Sequence, residues 1–174
     1  MTRVVGIGQP SAGDDGVGPF VIAQLRNDED LECELCVARE ASALIELLKH
    51  PDAVYLVDAV LAPEQLGSSW EFSAAERPLE DLARLGNSVS SHGLDVTQAI
   101  ELCRTLYPSE FTPALCVFAV AIADPARGAP TATSGETALS PVVRDASLRL
   151  VEQLRSRLTS SSQRAADHAE ARHA

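Results

Sequence analysis

Apolar positions along this chain follow two rhythms: short β-branched runs and stripes at helical spacing. Arg3 to Gly8 is a short apolar run closed by Gly-x-Gly, which predicts a first strand. A helix is predicted from about Gly16 to Arg26, because Val17, Phe20, Val21 and Leu25 fall on one face. Pro19 sits in its first turn, where a missing N–H costs nothing. "ECELCVA" reads as a second strand, and "ASALIELLKH" as a second helix stopped by Pro51. "DAVYLVDAV" and "ALCVFAVAIA" are almost wholly apolar, as strands covered on both faces are. Asp58 breaks the first of these at its carboxyl end. "SWEFSA", around Trp70, reads as a weaker strand at an edge.

Further along, "RPLEDLARLG" predicts a short helix and "SVSSHGLDVTQAIELCRTLY" a better one. Ser90 or Ser91 would cap the latter, with Val96, Ala99, Ile100, Cys103 and Leu106 facing inward. The Gly-, Pro- and Thr-rich segment from Asp124 to Leu139 reads as a loop. Ser140 then caps a last helix with Pro141 at its first position and Val143, Ala146, Leu150, Leu154 and Leu158 on its core face. From Thr159 onward no apolar face continues, so a single domain over 1–158 and a mobile tail over 159–174 are expected. Strands alternating with helices predict an α/β fold. It would be a three-layer α/β/α sandwich around a mainly parallel, twisted sheet of about five strands. Ligands of such sheets bind outside the carboxyl ends of the strands.

Composition narrows the class without changing the fold. In 174 residues, 45% are apolar and 22% charged, a globular balance rather than a disordered or membrane one. The net charge of −11 argues against a nucleic-acid groove, whose affinity comes from Lys and Arg. No basic and apolar leader precedes "TRVVGIG" and no run is long enough to span a bilayer, so a cytoplasmic protein is expected. Of the four cysteines, Cys33 and Cys36 form C-x-x-C on a strand, where residues three apart face opposite sides. They read as structural. No helix shows a second apolar stripe, so a monomer is expected.

The opening stretch "VVGIGQPSAGDDGVGPFVIAQL" has the strand–loop–helix form of a phosphate site but lacks its chemistry. A dinucleotide fingerprint would need glycine where Ser11 stands, and a P-loop would need Lys and Ser/Thr where Asp14 and Asp15 stand. Two carboxylates there repel phosphate. Asp14 is assigned as a helix cap, and a second adjacent carboxylate, Asp15, gains little in that role. Asp58 ends a buried strand, where carboxylates seldom go unpartnered, and His92 lies at the start of a helix opening on the same rim. A parallel sheet gathers these three ends. Two carboxylates and an imidazole suit a divalent transition metal with coordination positions left open.

These segments resemble a known family. "GIGQPSAGDDGVG" is similar to the N-terminal signature G-x-G-N-x-x-x-x-D-[DE]-x-x-G of the [NiFe]-hydrogenase maturation endopeptidases. "YLVDAV" resembles that family's strand ending in Asp, and "SSHGLDV" its histidine segment, in the same order over Val4 to Leu158. The resemblance implies a protease that clips a C-terminal extension from the precursor of a hydrogenase large subunit. That precursor would be its partner and would supply the nickel. Asp15, Asp58 and His92 would be the metal-contacting and catalytic residues. Gln9 stands where the family has Asn, and "REAS", Arg39 to Ser42, does not reproduce the family's D-G-G-T-like recognition stretch. Two other readings use the same rim: a metal-dependent hydrolase of a small molecule, and a non-catalytic nickel-site binding protein. Neither G-x-S-x-G nor H-E-x-x-H is present to support a serine or zinc protease.

Overall fold

In the computed structural model, β1 (Arg3–Ile7) sits where its apolar run puts it, inside the sheet with neighbours on both sides. The structure describes residues 1–73, 94–124 and 139–170, with side chains to residue 160. His92, the helix expected in "RPLEDLARLG" and most of the loop after Asp124 lie outside the described residues.

The other strands are β2 (Glu34–Ala38), β3 (Val54–Leu61), β4 (Ser69–Ser73) and β5 (Leu115–Ile122), in the order β2-β1-β3-β5-β4. All pairings are parallel except β4 with β5, where β4 runs antiparallel at the edge. Every residue of β5 is buried, as its unbroken apolar run predicts. Helix α1 (Val17–Leu25) and the last helix cover one face of the sheet; the second and third helices cover the other. The three layers anticipated from the sequence are present.

Helix boundaries differ from the sequence reading in three places, and one facing position differs as well. The second helix is a 3₁₀ turn over Ala41–Ala43 followed by only one α turn, α2 (Leu44–Leu47). The backbone beyond it is diverted to the segment before β5, through His50 N–H to the Glu110 carbonyl and Thr112 N–H to the Leu48 carbonyl. Pro51 also disfavours helical geometry at His50. The third helix, α3 (Val96–Leu106), is capped by Asp95 rather than Ser90 or Ser91. Asp95 Oδ1 accepts from Gln98 N–H at 2.8 Å, and Gln98 Oε1 accepts from Asp95 N–H at 3.1 Å, a reciprocal capping box. Leu106, the last residue of α3, is 55% exposed, and Tyr107 packs on the core in its stead. The last helix, α4 (Pro141–Glu170), runs past Thr159, because Gln, Arg and Ala sustain a helix without needing an apolar face.

Close packing of α1 on β1 explains two glycines of the opening signature. A Cβ on Gly6 would lie 2.3 Å from the Gly18 carbonyl oxygen, and one on Gly18 would lie 2.3 Å from the Ile7 backbone nitrogen. Strand and helix therefore touch backbone to backbone. Gly18→Ala would force them apart at a cost of about 3 kcal/mol. Thermal melting followed by circular dichroism should show a fall of roughly 10 °C at this chain length. An unchanged melting temperature would mean that the helix is free to shift.

Candidate active site

Sheet order locates a crevice before any side chain is considered. From β1 the chain goes outward to β2, then returns to place β3 on the opposite side of β1. The carboxyl ends of β1 and β3 thus flank the switch point where α/β sheets receive ligands. Pairing of β1 with β3 stops at Gly6 and Val57, so Asp58 is the first residue of β3 beyond that ladder. Asp58 does not end the strand, contrary to the sequence reading: β3 continues with β5 as far as Leu61 and Ile122. The strand is longer than its hydrophobic pattern suggested because β5 supplies partners on its other side. Asp58 shares a strand face with Leu56 and Val60, which belong to the core on the α2–α3 face.

Asp15 reaches the same crevice on a 3₁₀ turn, Gly13–Gly16, that fills the space after β1. Gly8 makes that turn possible. It has φ +128°, and a Cβ there would lie 2.0 Å from the Asp15 carbonyl oxygen. The next residue, Gln9, donates its backbone N–H to Asp15 Oδ2 at 3.0 Å while its side chain stays exposed. The amide-bearing side chain at this position therefore takes no part in holding Asp15; the main chain does.

Electrostatics places Asp58 within reach of the Asp15 charge. Burial pushes the Asp15 carboxyl above the usual carboxylate range, opposed by the Gln9 N–H. At Asp58 the effect is larger. Burial first, then the charge of Asp15, push its pKa from 3.8 up to about 7, against the stabilising N–H of Ala59 at 2.9 Å. With no facing cation among the described residues, the Asp58 carboxyl keeps its proton to near neutral pH. Of the sequence-predicted triad the structure brings Asp15 within electrostatic reach of Asp58, His92 lies outside the described residues, and among the described residues no group of three metal-ligating side chains occurs.

Asp14 has a different task from its neighbour, and from the cap assigned to it by sequence. Neither the 3₁₀ turn nor α1 carries a side-chain cap. Asp14 is fully buried and grips the start of α4 instead, accepting from the Ser140 N–H and from the Ser140 Oγ–H, each at 2.7 Å. A carboxylate at a helix N-terminus is well placed against the helix dipole. Nothing in the local sequence signals this contact, because the partners are 126 residues apart. The stretch Arg39 to Ser42 follows β2 on the same rim, where the Gly8 N–H bonds the Ala38 carbonyl; Arg39, Glu40 and Ser42 are exposed and Ala41 is buried. Cys33 and Cys36 pack on opposite faces of the sheet, which fits their structural reading.

Asp58 and Asp14 should therefore respond oppositely to neutralisation. Folding lifts the Asp58 pKa, so its contribution to stability is full below pH 3.8 and is lost as pH rises through about 7. Asp58→Asn should raise stability at pH 8 by on the order of 2 kcal/mol. That gain should shrink as pH falls towards 4. Asp14→Asn, which breaks a satisfied buried carboxylate, should lower stability by about 2 kcal/mol at pH 8. Urea melts of both variants across this range check the pair of signs.

No protein-family model and no curated protein sequence matches the chain. Solved structures do. A hydrogenase maturating endopeptidase, HybD, from E. coli superposes with a TM-score of 0.65 at 19% identity, covering 92% of this chain and 93% of its own. An endopeptidase from Escherichia coli gives 0.69 at 19% identity, with 92% and 94% covered. A [NiFe] hydrogenase maturation protease, HycI, from Thermococcus kodakarensis gives 0.60 at 18% identity, with 91% and 92% covered. The chain has the fold of solved hydrogenase maturation endopeptidases, the family that its three sequence motifs resemble.

Proposed function

We propose that this chain is a hydrogenase maturation endopeptidase, a hydrolase that removes a C-terminal extension from the nickel-loaded precursor of a [NiFe]-hydrogenase large subunit. One observation carries this reading. Asp15 and Asp58 approach one another at the switch point as like charges, both partly desolvated, an arrangement that favours an incoming cation. The fold shared with proteins named as such proteases agrees with it. His92 would complete the set. It precedes by two residues Leu94, which packs on the sheet face that also carries Leu56 and Val60 on either side of Asp58.

In this reading the nickel belongs to the substrate, and the pair recognises it. Without a cation the pair retains a proton near neutral pH, which leaves one carboxyl unable to act as a base. A nickel ion borne by the precursor displaces that proton and makes both carboxylates available as ligands or base. Water then adds to the scissile carbonyl carbon, giving up a proton to a carboxylate. The C–N bond breaks, and the leaving amine takes up a proton. Cleavage is thereby tied to metal loading by the protonation state of the site.

Incubation with nickel-loaded and nickel-free precursor, followed by mass spectrometry, tests the proposal. Release of a C-terminal peptide should occur only from the loaded form. It should slow by about 10²-fold or more in Asp15→Asn, Asp58→Asn and His92→Ala. Enzyme pre-treated with chelator and then freed of it should keep its full rate. Cleavage of nickel-free precursor, or lasting loss of activity after chelation, would contradict the substrate-borne role of nickel. Tight association without cleavage would instead indicate a binding protein, and turnover of small amides alone a small-molecule hydrolase.

A further inference from the structure

The 3₁₀ turn that carries Asp15 has little to hold it in place by itself. It is four residues long and has no side-chain cap, and 3₁₀ hydrogen bonds are poorly aligned. Its anchors come from outside: α1, which continues it from Val17 and packs on β1, the Gln9 N–H on Asp15 Oδ2, the Gly8 backbone against the Asp15 carbonyl, and the two bonds from Ser140 to Asp14. Of these, the Ser140 contact is fully buried and joins the turn to a thirty-residue helix.

The geometry of a 3₁₀ turn couples the two aspartates. At three residues per turn, successive side chains project about 120° apart. Asp14 is directed to the α4 face, which leaves Asp15 directed away from it, where Asp58 feels its charge. Rotation of the turn that loosened Asp14 would move Asp15 as well.

We propose that Ser140 is a positioning residue, which through Asp14 fixes the rotation of the catalytic turn and so the placing of Asp15 in the crevice. Leu139, which precedes it, is buried in the core with Val143 and Ala146. The start of α4 is therefore a rigid mount, and Arg144 N–H closes its first turn on the Ser140 carbonyl at 2.8 Å. Ser140→Ala keeps the backbone donor to Asp14 and removes the hydroxyl donor, leaving one buried carboxylate oxygen without its partner. Ser140→Thr keeps both donors.

This inference rests on the protease reading only where activity is measured, so the test has two arms. In the first, hydrogen exchange of the Gln9 amide reports whether Asp15 Oδ2 still accepts from it. Exchange should quicken by about ten-fold or more in Ser140→Ala, relative to amides of β5, and return to the wild-type rate in Ser140→Thr. In the second, precursor cleavage well below the melting temperature should show kcat reduced about ten-fold with KM little changed, again restored by Thr. A lower melting temperature with unchanged Gln9 exchange would overturn the inference and leave Ser140 a purely structural cap. Loss of exchange protection in a protein whose wild type cleaves no precursor would uphold the positioning role and count against the protease reading alone.

Discussion

Burial of the Asp58 carboxyl within reach of the Asp15 charge is the constraint on which the site depends. Folding alone would not place two carboxyls in a half-dry crevice, since each loses hydration there and neither gains a facing cation from the described residues. The cost is tolerated because the surrounding structure determines their positions. Asp58 is held by an eight-residue strand that pairs along its whole length with β5, and Asp15 by the main chain of the glycine turn. A site whose ligands disfavour one another in the absence of a cation discriminates in favour of one that arrives with it.

Backbone proximity is what makes the arrangement possible. Gly6 and Gly18 let α1 sit directly on β1, and Gly8 lets the chain turn back under the Asp15 carbonyl. On the opposite face of the turn, Asp14 is satisfied by Ser140 and buried. Two adjacent residues of one type thus have different characters: Asp14 is buried with both carboxyl oxygens bonded, and Asp15 is half-buried with its pKa raised by that burial. The adjacent carboxylates that made a phosphate reading untenable are, in the fold, one anchor and one ligand candidate.

Much of this was legible in the chain. The apolar runs of β5 and of β3, the latter interrupted by Asp58, gave buried strands, and the stripes of α1 and α4 gave the helices that cover one face. Boundaries were less legible where tertiary contacts overrode local preference. The second helix was shortened by backbone bonds to residues near 110, some sixty positions away, and no periodicity encodes those. The capping box of α3 was written as D-V-T-Q, but two serines upstream competed for the role. In the site, Asp15 and Asp58 could be proposed because parallel topology sends both strand ends to one rim. The pairing of Asp14 with Ser140 could not, since a contact across 126 residues leaves no local trace.

Direct titration of the Asp58 carboxyl carbon by NMR, in the wild type and in Asp15→Asn, probes the repulsive pair at its source. The account predicts a midpoint near 7 in the wild type. With Asp15 neutralised it should move down yet stay above the ordinary carboxylate value of about 4, because burial remains. A wild-type midpoint near 4, or one that ignores the loss of the Asp15 charge, would contradict it.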